Sequence, residues 1–132
     1  MTQRNIEIMD VIVDKMVAGK TLTEALQDVY VKRNIAVPFV DEDLSLLVEK
    51  LDMSKRAKYA LMRGGLFTLG DVVKHCEKQK LNTINLLGQS SGVEVLETIV
   101  NYLWNKLDKQ HKAEFLMDIV ERNTGNLRKE MM

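Results

Sequence analysis

Apolar residues recur along this chain at helical spacing in short runs, and nearly every run is bounded by its own cap or glycine. That pattern leaves room for little besides an assembly of short α-helices. Asn5 to Ala18 carries Ile6, Met9, Val13, Met16 and Val17 at 3.6-residue spacing, and Gly19 ends it. Thr21 and Glu24 stand three apart, the spacing at which a hydroxyl and a carboxylate satisfy the free N–H groups of a helix start, which predicts a second helix from Leu22 to about Arg33. The single proline, Pro38, lies in a connector from Asn34 to Val40, whose Ile35, Val37 and Phe39 suit a packed strap better than a free linker. Asp41 then starts a short helix with Leu44, Leu47, Val48 and Leu51 on one side. Ser54 caps the next, Lys55 to Arg63, which buries Ala57, Ala60 and Leu61 and stops at Gly64-Gly65. Thr68 opens a helix to about Lys74, and an apolar turn follows through Leu81 and Ile84. Ser91 and Glu94 repeat the capping pattern ahead of Val95, Leu96, Ile99, Val100 and Leu103. Asp108 caps the last helix, striped with Ala113, Phe115, Leu116, Ile119 and Val120. Gly125 follows, and the tail from Asn126 to Met132 is expected to fray.

No βαβ alternation and no fixed-period repeat interrupts this series, so the expected fold is all-α, a bundle of about seven or eight short helices. Aromatic residues make up only 5% of the chain, so the core is left to Leu, Ile, Val, Met and Ala. At 132 residues the chain is long enough to bury a core without staples. Residues 1–40 read as an N-terminal helical extension, 41–107 as a central module, and 108–132 as a C-terminal helix with its tail.

Chemistry at a metal or a nucleophile has little support. His75 and Cys76 are neighbours, whose side chains diverge on a helix, and His111 is the only other histidine. Cys76 has no orienting base and reads as a small buried thiol. No phosphate loop and no dinucleotide fingerprint is present. Asp41, Glu42 and Asp43 sit at an expected helix start, where they complement the dipole. The expectation is a non-enzyme with no cofactor and no metal. A lone cysteine and the absence of an apolar leader point to a reducing cytoplasm, and no apolar run has the length of a membrane span.

Lys and Arg together number 19, as do Asp and Glu, and the net charge is zero. The zero conceals unlike parts: residues 1–50 carry six basic and nine acidic side chains, 51–80 seven and three, and 81–132 six and seven. The central segment is therefore basic by four. It holds Lys55, Arg56, Lys58 and Arg63 on one expected helix, and beyond it, in the next segment, comes the run Leu86-Leu87-Gly88-Gln89-Ser90-Ser91. There a glycine permits close backbone approach, and the free N–H groups of a following helix suit a phosphate.

The run LDMSKRAKYALMRGGLFTLGDVV, followed by LNTINLLGQSSGVEVLETI, resembles the C-terminal domain of the bacterial RNA polymerase α subunit. The resemblance covers about Leu47 to Leu107. It implies a helix-hairpin-helix-like element and binding to the minor groove of A/T-rich upstream DNA, with contacts to activators and sigma factor. Carried over residue by residue, Arg56 falls on the family's minor-groove arginine, Gly88 on its phosphate-contacting glycine and Ser91 on its serine, while Asp52 takes the acidic position that faces sigma. Lys55, Lys58 and Arg63 add charge around Arg56. The departures are Tyr59, where the family has asparagine, and Gln89 and Ser90, where it has lysines. Losing those cations removes phosphate neutralisation. The assembly domain of the subunit is not in the sequence, which reads as a free-standing protein that carries the module. Two functions follow: a DNA-binding, transcription-associated protein, or a protein-interaction module that docks on RNA polymerase, on a regulator or on a second copy of itself.

Overall fold

Side-chain oxygens of Thr21, Ser54, Thr68 and Asp108 close the helix starts that the sequence marks at those residues. In the computed structural model, which describes residues 2–31, 35–38, 41–78 and 88–131 (side chains of 41, 73, 75–78, 88–93 and 96 excepted), the chain is all-α. The helices are α1 (Gln3–Val17), α2 (Leu22–Val29), α3 (Lys55–Arg63), α4 (Leu69–Lys78), α5 (Gly88–Asn105) and α6 (Lys109–Arg122), with short 3₁₀ turns between and after them. They group into two units: residues 1–38 with 103–132, and residues 39–102. The expected apolar turn through Leu81 and Ile84 lies outside the described residues.

In the first unit α1 packs on α2 and α6. The capping box of α2 is complete, with Thr21 Oγ1 accepting from the Glu24 N–H at 3.1 Å and the Glu24 carboxylate accepting from the Thr21 N–H at 2.9 Å. That helix ends at Val29 instead of Arg33, because Tyr30 turns extended and bridges Leu127. The Val31 N–H donates to the Asn126 carbonyl at 3.1 Å and the Arg128 N–H to the Val29 carbonyl at 3.0 Å. Arg128 Nε also donates to the carbonyls of Gln27 and Tyr30, at 2.9 and 3.1 Å, groups that a helix end leaves without partners. Residues 126–128 are thus held in place, which corrects the expectation of a fraying tail. Helix α1 buries Asn5, Ile8 and Ile12, while Ile6, Val13 and Val17 of its apolar stripe stay exposed.

The described part of the connector, residues 35–38, is a strap. Asn123, at the end of α6 and 1% exposed, accepts from the Ala36 N–H at 2.8 Å. Its amide group donates to the carbonyls of Ala36 at 2.9 Å and Ile119 at 2.7 Å. One side chain thereby satisfies both backbone groups of a residue 87 positions away.

In the second unit the helix expected after Asp41 is instead two 3₁₀ turns, Asp41–Ser45 and Val48–Lys50. The chain breaks between them because residues 46–48 pair with 67–69: the Leu69 N–H donates to the Leu46 carbonyl at 2.8 Å and the Val48 N–H to the Phe67 carbonyl at 2.9 Å. Backbone groups spent on that pairing cannot continue a helix. Thr68 and Asp71 form a reciprocal cap on α4, with Asp71 accepting from the N–H groups of Phe67 and Thr68. Those donors hold its carboxyl below the usual range. Val48, Leu51, Ala57, Ala60, Leu61, Leu69, Val72, Val95, Ile99 and Val100 make the core.

Candidate nucleic-acid interface

Helix α3 is fixed at both ends. At its start Ser54 Oγ accepts from the Ala57 N–H at 3.2 Å, while the Ser54 N–H donates to the Glu94 carboxylate of α5 at 2.6 Å. At its end Gly65 adopts φ +81°, the left-handed conformation that lets the Leu66 N–H reach the Leu61 carbonyl at 2.9 Å and its own N–H reach that of Met62 at 3.0 Å. Ala57, Ala60 and Leu61 face the core as expected.

The remainder of α3 is a solvent face. Lys55, Arg56, Tyr59 and Arg63 are exposed, and Lys58 and Met62 are half-buried. A helix turns about 100° per residue, so the four cations share one side with Tyr59 among them. Lys58 Nζ donates to the Glu49 carbonyl at 3.0 Å, a bond that leaves its charge and two further donors in place. Among the described residues none of Lys55, Arg56 and Arg63 forms an ion pair, so no described carboxylate compensates their charge. Arg56, Tyr59, Met62 and Arg63 line a shallow, open groove of about 530 Å³. Arginine and tyrosine at positions i, i+3 and i+7 are the sequence signal for it, and Tyr59 is the member of that set which a count of cations leaves out.

The other site residues lie apart from this face in sequence. Asp52 is exposed ahead of α3, and its carbonyl accepts from Thr98 Oγ1 at 3.4 Å. Helix α5 begins at Gly88, which puts Ser91 within the helix and not at its N-cap. Glu94, assigned to the same capping box, serves the start of α3 instead. The side chains of Ser91, Gln89 and Ser90 lie outside the described residues, as do those of His75 and Cys76. Among the described residues no cluster of three or more metal-ligating side chains is present, and no helix is long and apolar enough to cross a membrane.

His111 stands at the start of α6, with its ring Nδ1 2.7 Å from Asp108 Oδ1, which also accepts from the His111 N–H at 2.9 Å. The hydrogen bond to Asp108, and then its charge, raise the His111 pKa; the same backbone and ring contacts lower that of Asp108. A raised imidazole contributes stability below its unfolded pKa and loses it as pH rises through the folded one, whereas the depressed carboxyl loses its share as pH falls through its own folded value. The pair thus supports α6 between those limits. An NMR titration of the ring is expected to give His111 a higher pKa in the parent than in Asp108→Asn, and equal values would refute the assignment.

These features define a class: an all-helical protein with a basic, partly aromatic helix face and a second helix beginning at a Gly-Gln-Ser-Ser run. In sequence, 69 residues are 38% identical to the α subunit of the DNA-directed RNA polymerase of Aquifex aeolicus (strain VF5), a stretch covering 52% of this chain and 22% of that subunit. The chain is therefore partially similar to the RNA polymerase α-subunit family and spans about a fifth of that relative's length. No family model matches the chain, and no solved structure matches it.

Proposed function

We propose that this is a non-enzymatic, transcription-associated protein of the cytoplasm that binds A/T-rich duplex DNA through an α C-terminal-domain-like module with a helix-hairpin-helix-like element. Arg56 enters the minor groove, Lys55, Lys58 and Arg63 meet phosphates, and the backbone N–H groups at the start of α5, Gly88 to Ser91, receive another phosphate. A guanidinium in the minor groove reads its width and A/T content, so the preference is for a class of sequences and not for one site. RNA polymerase or a transcription factor is the protein partner, met through Asp52. The observation that carries this reading is the positive charge of Lys55, Arg56 and Arg63 on one face of α3, which no described carboxylate compensates. With acidic segments on either side, affinity is weak and falls steeply with salt.

Fluorescence anisotropy with an A/T-rich duplex at low salt tests it. Arg56→Ala is expected to weaken binding roughly tenfold, within the range for a groove arginine. With about three phosphates neutralised by Lys55, Lys58 and Arg63, the logarithm of affinity should fall with that of salt at a slope of about −2.7. No binding by the parent, or equal binding by Arg56→Ala, overturns the reading.

A second reading is a protein-interaction module that has lost DNA binding. It is favoured by the exposed stripe of Ile6, Val13 and Val17 on α1, 41%, 41% and 83% exposed. A parent that ignores duplex yet self-associates in light scattering, or is retained by RNA polymerase, decides for this reading.

A further inference from the structure

The groove on α3 holds more than duplex binding uses. Arg56 and Arg63 stand seven residues apart, about 10 Å along the helix axis, and Tyr59 lies between them with 58% of its surface exposed. Met62 supplies the apolar floor beside it. Guanidinium groups can serve a duplex, but a duplex stacks its bases on one another and offers no free π-face to a tyrosine. An exposed tyrosine flanked by two unpaired arginines is the combination that single strands use: an aromatic platform for a base, with cations for the backbone on either side. The geometry points to single-stranded DNA as the occupant of the Arg56–Tyr59–Met62–Arg63 groove, with one unpaired base on the Tyr59 ring and the flanking phosphates on the two guanidinium groups. This rests on nucleic-acid binding by the same face and adds a second form of DNA to the duplex.

Apolar and aromatic atoms in the groove account for the base, and charge complementarity accounts for the phosphates. An acidic peptide would use the arginines alone and leave the Tyr59 ring idle.

The test measures anisotropy of the whole 132-residue chain with labelled oligothymidylate and, separately, with an A/T-rich duplex. Tyr59→Ala is expected to lose roughly tenfold in affinity for the single strand and to keep its duplex affinity. Tyr59→Phe, which retains the ring, should bind both as the parent does. Because Tyr59 is exposed, neither change removes a core contact. A parent that binds duplex but not oligothymidylate overturns this inference and leaves the duplex reading standing. Single-strand binding that Tyr59→Ala does not weaken also overturns it, as does an acidic peptide that displaces the strand at lower concentration than duplex does. A parent that binds neither form of DNA overturns both readings.

Discussion

Asn123→Asp is expected to destabilise the first unit by about 3 kcal/mol at neutral pH, and Asn123→Ala by about 2 kcal/mol. The amide of Asn123 accepts from the Ala36 N–H and, at 3.4 Å, from the Asn126 amide, and it donates to two carbonyls, those of Ala36 and Ile119. Alanine removes all four bonds and leaves space at a buried position. Ala36 is itself exposed, so its groups recover water, which keeps the cost at the middle of the range. Aspartate keeps the acceptor for the Ala36 N–H but aims a carboxylate oxygen at two carbonyl oxygens. Its charged form is therefore disfavoured in the folded state and its pKa rises on folding. The sign follows: an acid whose folded pKa is raised loses stability as pH climbs from the unfolded value through the folded one. At pH 4 the protonated acid can donate in place of the amide, and the Asp variant should then approach the Ala variant. Thermal unfolding followed by the fluorescence of Trp104, the chain's single tryptophan, is the measurement. Trp104 lies against Phe115 at 6.2 Å in the same unit. An Asp variant as stable as the parent at pH 7 would show that the strap contributes nothing.

Gly70→Ala is expected to cost about 2 kcal/mol, against the ordinary direction for that change in a helix. Glycine to alanine in an unstrained helix gains up to about 1 kcal/mol. Here an added Cβ would stand 2.9 Å from the Leu44 carbonyl oxygen and 3.2 Å from Leu44 Cβ. The obstacle is backbone and cannot rotate away. Nor can the first 3₁₀ turn withdraw from α4 freely, because the bonds from Leu69 to Leu46 and from Val48 to Phe67 tie the two together. Overpacking therefore outweighs propensity. A fall in melting temperature of roughly 8 °C by circular dichroism is expected. Gly125→Ala, where an added Cβ meets nothing within 4 Å and φ is not positive, is the control and should change little. A Gly70→Ala protein that melts with the parent would show that the close approach yields at no cost.

The helix starts were legible because a cap is a local device. Thr21 with Glu24, Ser54, Thr68 with Asp71, and Asp108 each act on backbone within three residues, so spacing in the sequence contains the whole interaction. The same reasoning misplaced Ser91 and Glu94, since Glu94 found a better donor forty residues away at Ser54. On α1 the periodic stripe through Ile6, Val13 and Val17 was visible, yet burial went to Ile8 and Ile12 beside it. A wide apolar arc specifies a helix without specifying which part of the arc is covered.

For the candidate site, the chain's own residues determine that four cations fall on one helix and that Ala57, Ala60 and Leu61 turn to the core. Tertiary structure alone decides which of those cations are free. Lys58 is anchored by a hydrogen bond to the Glu49 carbonyl, while Arg56 and Arg63, with no ion pair among the described residues, stand beside Tyr59 and Met62 in a groove. Helical periodicity depends only on bond rotations along the backbone, so it can be read from a string of residues. The pairing of a charge depends on which distant carbonyl or carboxylate folding brings within reach, and no string carries that distance.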